Sequence, residues 1–181
     1  DEITNQVLDK TYPLSSGKGY MRVIMTVCDM GGEDGVSANA YDYCRKLRRE
    51  GKHFRFHLVK GGSQRDAEIF RISAPDAQAG NKKQKTKSKA SRGDINVVLL
   101  NTDKCKDSVY QRLKREEAGT GYFHIPPWLG EWFFNELTYE ERDIHGRWAK
   151  PGKGDNEAFD LCAYGEAALR LIKAHKHGFW L

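Results

Sequence analysis

Two groups of carboxylates stand out for the chemistry that their types and spacing allow. Asp29 in "VCDMGGEDG" leaves an apolar run and is followed by two glycines. In open α/β sheets, sites gather at the carboxyl ends of strands, and glycine lets a ligand approach the backbone closely. The same residues also suit an Asx-turn, in which the Asp29 carboxylate simply accepts from its own backbone. In "DNEAFD", Glu157 and Asp160 stand three residues apart and so share a helix face. Asp160 sits between Phe159 and Leu161, in a segment that reads as a helix over 153–172. Its apolar face comprises Ala158, Leu161, Cys162, Gly165, Ala168, Leu169 and Ile172, and Asp160 heads a second stripe with Tyr164, Ala167 and Leu171. A carboxylate in so apolar a helix is either tolerated near the positive end of the helix dipole or paired with a metal ion or a basic residue. Carboxylates of this kind form the oxygen-rich donor set that Mg²⁺ or Mn²⁺ prefers, ions that activate water and neutralise phosphate charge. Glu140 and Glu141 in "LTYEER" are further carboxylates, of a type more often solvated than ligating.

The cations form a complementary set. "VKGGSQR" puts Lys60 and Arg65 around a glycine turn, and "TDKCK" puts Lys104 and Lys106 at a helix start. Both placements suit phosphate contacts, or else exposed side chains with no specific partner. The six histidines show no HxH or HExxH spacing, which argues against a histidine metal site. Cys28, Cys44, Cys105 and Cys162 form no CxxC pair, so free, buried thiols are expected in place of structural zinc or disulfides.

The elements that must position these residues alternate in type. Residues 2–12 read as a short helix ended by Pro13 and "SSGKG". Met21 to Cys28 is apolar and β-branched like a central strand covered on both faces. Val36 to Glu50 is an amphipathic helix with a basic end. "HFRFHLVKGG" alternates as a strand with Phe54, Phe56 and Leu58 on one side, and Ala67 to Ser73 reads as another strand. "DINVVLLNT" is a buried strand, and Thr102 to Glu117 a helix with Val109, Tyr110 and Leu113 inward. A short strand "YFHIP", an aromatic helix "LGEWFFNEL" and a hairpin around "HGR" lead into the final helix, whose N-cap is Asp155 or Asn156. Strands alternating with helices imply an α/β sheet covered on both faces.

At 181 residues, 39% of them hydrophobic, the chain suits one domain with a sizeable core. Its start lacks the basic and apolar regions of a signal peptide, which points to a cytosolic context. The net charge of +5 favours an anionic partner such as nucleic acid. Residues 74–93, "APDAQAGNKKQKTKSKASRG", hold five lysines and Arg92 with alanine as the only aliphatic type, and read as a mobile or disordered insert.

Taken in order, "CDMGG", "AYDYCRKL", "HLVKGGS", "NTDKCKDSVYQRL", "GTGYFHIP", "LTYEER" and "NEAFDLCAYGEAAL" resemble the C-terminal nuclease domain of the lambda-type terminase large subunit, the DNA-packaging motor protein of tailed bacteriophages. The agreement runs from about Met21 to Leu171. The resemblance implies a ribonuclease H-like mixed sheet flanked by helices, and an endonuclease that uses Mg²⁺ or Mn²⁺ to cut concatemeric double-stranded DNA. It implies Asp29 and Asp160 as metal-holding aspartates, Glu157 and Glu140 as supporting acids, and Lys60 and Lys106 as members of basic blocks. By the same resemblance the full-length protein meets the small terminase subunit and the procapsid portal in the host cell cytoplasm. The family normally carries an ATPase domain and a strand with a first aspartate ahead of this region, so the chain reads as a fragment missing N-terminal strands. The alternative is a catalytically inert module that binds DNA or docks on a packaging partner.

The insert generates the first prediction. Deleting residues 74–93 leaves the melting temperature nearly unchanged and makes the plot of log DNA affinity against log salt shallower, by about 0.9 for each phosphate that the insert neutralises. Limited proteolysis and a salt series check it, and a protease-resistant insert contradicts it.

Overall fold

A computed structural model describes residues 2–31, 36–62, 68–73, 94–174 and 176. The insert at 74–93 lies outside the described residues, as does Arg65. The chain divides into two compact units, one made of Asp1–Lys60 and Arg71–Leu99, the other of Gly61–Phe70 and Leu100–Leu181.

In the first unit a short π-helical turn, Thr4–Leu8, precedes strands β1 (Thr11–Pro13) and β2 (Tyr20–Arg22), which pair antiparallel. Strand β3 (Thr26–Asp29) pairs parallel with β4 (Phe56–Gly62), and with β5 (Phe70–Ser73) and β6 (Val97–Asn101) they form a sheet in the order β3-β4-β6-β5. Asn101 N–H at the end of β6 donates to the Ile69 carbonyl just ahead of β5, at 2.9 Å, so β5 runs against β6 and the sheet is mixed. Strand β6 buries Val97, Val98 and Leu100, as its unbroken apolar sequence requires. Helix α1 (Val36–Arg49) lays Tyr41, Cys44 and Leu47, spaced by three residues, on Leu8, Met30, Phe56, Leu58, Ile95 and Val97. Arg45 and Arg48 at its basic end pair with Asp94, three residues ahead of β6, and Arg45 holds the Asp94 carboxyl below the usual range.

Several expected elements differ here. The run Met21 to Cys28 is not one central strand: the chain leaves extended pairing at Val23, and β3 is an edge strand among the described ones. The reason is a contact from elsewhere in the chain: the Val23 carbonyl accepts from the Arg55 guanidinium (2.9 and 3.2 Å), and Met21 is 57% exposed. Residues 2–12 give one π-helical turn followed by a strand, and the turn is held down by buried Leu8, whose carbonyl also accepts from Arg55. Phe54 lies in a 3₁₀ turn, His53–Arg55, and is exposed, so only Phe56 and Leu58 of the expected trio reach the core. The described part of Ala67 to Ser73 is a strand from Phe70.

The second unit holds helices α2 (Thr102–Leu113), α3 (Glu131–Leu137) and α4 (Glu157–Leu171), with a hairpin of β7 (Glu141–Arg142) and β8 (Trp148–Ala149). Its core is Val109, Leu137, Ala158 and Phe159, with Leu113, Phe123, Ile125 and Trp148 against them. The segment "YFHIP" is therefore core packing without strand pairing. Helix α2 ends at Leu113, short of the expected Glu117, and Asn101 caps its start by accepting from Lys104 N–H at 3.2 Å. Helix α4 buries Ala158, Phe159, Ala163, Glu166 and Ala167, a face rotated from the expected one; Leu161 is 64% exposed. Among the described residues no helix is long and apolar enough to cross a membrane.

The buried anchor of the π-helical turn sets a stability prediction. Leu8→Ala removes a fully buried side chain from the first core and lowers unfolding free energy by about 2–5 kcal/mol, measured by urea denaturation.

Candidate functional site

The second unit gathers an acidic centre around one lysine. Lys106, on the second turn of α2, is 5% exposed at its side chain, and its ammonium lies 2.6 Å from Glu140 Oε1 and 2.6 Å from Asp160 Oδ1. Glu140 is 4% exposed and Asp160 23%, so the centre opens to solvent on the Asp160 side. The Asn156 side-chain amide donates to Glu140 Oε1 and, at 3.1 Å, to Asp160 Oδ2. The Phe159 ring lies 5.1 Å from the ammonium and completes its surroundings. One group is left over: Glu140 Oε2 is buried and has no hydrogen-bond partner among the described residues.

Local sequence explains each placement. Glu140 immediately precedes β7, and the hairpin is pinned to α2 through Trp148, whose backbone N–H donates to Asp103 (3.1 Å) and whose indole N–H donates to Asp107 (2.8 Å). Arg142 on the other strand also pairs with Asp107. Trp148 then stacks edge-on against Tyr110 and Phe159, centroids 5.3 and 5.0 Å away. Ahead of α4, the Tyr139 hydroxyl accepts from Gly154 N–H at 2.8 Å, and the ring lies where a side chain at 154 would stand, so "GKG" must carry a glycine there. Helices α2 and α4 run parallel, since Lys106–Asp160 near their starts gives way to Ser108–Glu166 (3.0 Å) and Arg112–Glu166 further along both. Buried Glu166 also pairs with Arg112 at 3.1 Å and Arg170 at 2.9 Å, two cations in the last helical turns that offset the aligned dipoles.

The expected site residues are thus distributed unevenly. Glu140, Asp160 and Lys106 come together, with Lys106 buried on carboxylates where an exposed phosphate contact was expected. Glu140, of a type usually solvated, is buried too. Glu157 opens α4 and is exposed, as are Lys60 and Lys104. Asp29 belongs to the first unit, where its Oδ1 accepts from Gly31 N–H at 2.9 Å, the Asx-turn that its sequence also allowed. Among the described residues no group of three or more His, Cys, Asp or Glu gathers as a metal cage. The four cysteines are free, and burial pushes the Cys105 thiol up to about 12 and that of Cys162 up to about 11, which keeps thiolates out of the chemistry. Asn156 is the residue that sequence reasoning placed but misjudged: it sits at the N-cap position without a side-chain cap bond, its amide turned to the carboxylates. Its spacing of four from Asp160 is the signal that was available.

Comparison with known proteins now adds the family. The model for the endonuclease domain of the terminase large subunit gpA matches residues 1–179, and the chain belongs to that family. No curated protein and no solved structure matches it.

The buried ion pair predicts a large asymmetry. Lys106→Ala strands two carboxylates and lowers stability by about 3–5 kcal/mol in urea denaturation at neutral pH, whereas an exposed lysine such as Lys60 changed to Ala shifts it by less than about 0.5 kcal/mol.

Proposed function

We propose that this chain is a metal-dependent endodeoxyribonuclease that hydrolyses phosphodiesters of concatemeric double-stranded DNA during genome packaging, with Mg²⁺ or Mn²⁺ as cofactor. Membership in the terminase endonuclease family supports the reaction class. The single observation that carries the metal reading is Glu140 Oε2, a buried acceptor without a partner among the described residues, beside a second carboxylate, Asp160. A buried unpaired carboxylate oxygen is costly, and a hard cation with oxygen preference satisfies it. The donor set therefore fits the ion in chemistry. Glu140 and Asp160 would hold it, and its part would be to neutralise phosphate charge and activate water.

The chain's own side chains take the remaining roles. Asn156 fixes the two carboxylates relative to each other, and Phe159 keeps bulk water from Lys106 and so strengthens the field within the centre. Glu157, exposed at the start of α4, is available to orient water, and Lys60, Lys104 and Arg65 meet the DNA backbone. Asp29 enters the proposal through its place in the "CDMGG" block. A ribonuclease H-like assignment of the mixed sheet, work in the host cell cytoplasm, and contact with the small terminase subunit and the portal through the full-length protein belong to the same reading.

One observation favours a second reading, an inert DNA-binding or partner-docking module: Lys106 already neutralises one of the two carboxylates without any ion. Plasmid nicking in Mn²⁺ separates the two. Asp160→Asn, Glu140→Gln and Asp29→Asn each abolish nicking while the far-UV circular dichroism stays that of the parent chain. A wild-type rate in the Asp160 or Glu140 variant sinks the site assignment, and a wild-type chain that never nicks leaves the docking module standing.

A further inference from the structure

The ammonium of Lys106 lies between Glu140 and Asp160, the two carboxylates proposed above to hold the ion. It lies 2.6 Å from one oxygen of each, and it shares Glu140 Oε1 with the Asn156 amide. An ion drawing on the same two carboxylates brings a charge of two into contact with an ammonium enclosed by the Phe159 ring, in surroundings that screen poorly. Both cations cannot occupy the centre at once. A lysine differs from a fixed counter-charge in having a flexible four-carbon stem, so it can leave while its helix stays in place. Asp160, the partly exposed member, marks the side by which an ion enters.

We propose that Lys106 is a tethered competitor of the divalent cation. In the ion-free protein its ammonium closes the centre and keeps buried Glu140 and half-buried Asp160 from standing without a counter-charge. Loading then requires Lys106 to withdraw from Glu140 and Asp160. This inference rests on the metal-dependent reading above and deepens it, because it assigns the centre two exclusive occupants. Its thermodynamic consequence is a lowered apparent metal affinity, reduced by the fraction of molecules in which Lys106 has withdrawn. A lysine that merely braces α2 against α4 has no such consequence, since removing it loosens the carboxylates and weakens ion binding.

The test is calorimetric titration of Mn²⁺ into the wild type, Lys106→Gln, Lys106→Met and Asp160→Asn. The glutamine variant keeps an amide donor toward the carboxylates and so preserves the fold where methionine does not. The expected result is Mn²⁺ binding tighter by about tenfold or more in the Lys106 variants that fold, with binding lost in Asp160→Asn. Equal or weaker binding in Lys106→Gln, with a wild type that does bind, overturns the competition and leaves the proposed function untouched. No binding by any of the four chains overturns both. In the wild type, with no substitution needed, Mg²⁺ titration of ¹⁵N-lysine-labelled protein moves the Lys106 ammonium signal in proportion to saturation, the signal being assigned by its absence from Lys106→Arg. A signal unmoved at saturation also overturns the inference.

Discussion

The contact of one buried ammonium with two carboxylates governs the architecture of the second unit. Lys106 reaches Glu140 and Asp160 only if α2 and α4 lie side by side in parallel and if the hairpin that follows Glu140 is fixed against α2. Neither arrangement is favoured by the backbone alone, because parallel helices align their dipoles and a two-residue-per-strand hairpin is too short to be stable by itself. The compensations are visible as side-chain contacts: Arg112 and Arg170 at the negative helix ends share buried Glu166, and Trp148 ties the hairpin to Asp103 and Asp107. Desolvating Lys106, Glu140 and Asp160 opposes folding, so the surrounding packing of Val109, Leu137, Ala158 and Phe159 must supply the difference.

That balance explains which parts of the fold can be read from sequence. Strand β6 and helix α1 announce themselves because burial repeats with a fixed period: unbroken apolar residues in "VVLL", and Tyr41, Cys44 and Leu47 along one helical stripe. The run Met21 to Cys28 has the same composition and fails, since Arg55, far along the chain, takes the Val23 carbonyl and interrupts the strand. Periodicity reports what a segment can bury, whereas a distant guanidinium decides whether it does. Helix α4 fails more narrowly. Its alanines, cysteine and glycine make several faces almost equally apolar, so no pattern within the helix could fix its rotation; Phe159 fixes it by stacking on Trp148.

The candidate site was legible in its members more than in its bonds. Asp160 in an apolar helix needs compensation on electrostatic grounds, from the positive end of the helix dipole or from a partner, and a basic residue was one of the two partners admitted. The structure supplies Lys106. Choosing it from sequence was impossible for a physical reason: it is one of 30 basic residues, and nothing within "TDKCK" distinguishes a lysine that points into a core from one that points to solvent, except a helical phase that depends on where α2 starts. Glu140 and Glu141 pose the same problem as neighbours of identical type, one buried and one exposed, sorted by the side of the hairpin on which each falls.

Asn156 shows how such a centre is assembled without loss elsewhere. At a helix N-cap, asparagine ordinarily accepts from the first free N–H groups. Here the Ala158 N–H is instead accepted by Glu136 Oε2 of α3, at 3.0 Å. The capping carboxylate thus comes from another helix, which leaves the Asn156 amide free to donate to Glu140 and Asp160 while α4 keeps a negative charge at its positive end. The acidic centre and the start of α4 therefore depend on α3 even though α3 contributes no side chain to the centre itself. Removing the Glu136 carboxylate would leave the Ala158 N–H without this acceptor at the first turn of α4, the turn that carries Phe159 and Asp160, so the footing of the centre is set one helix beyond the residues that form it.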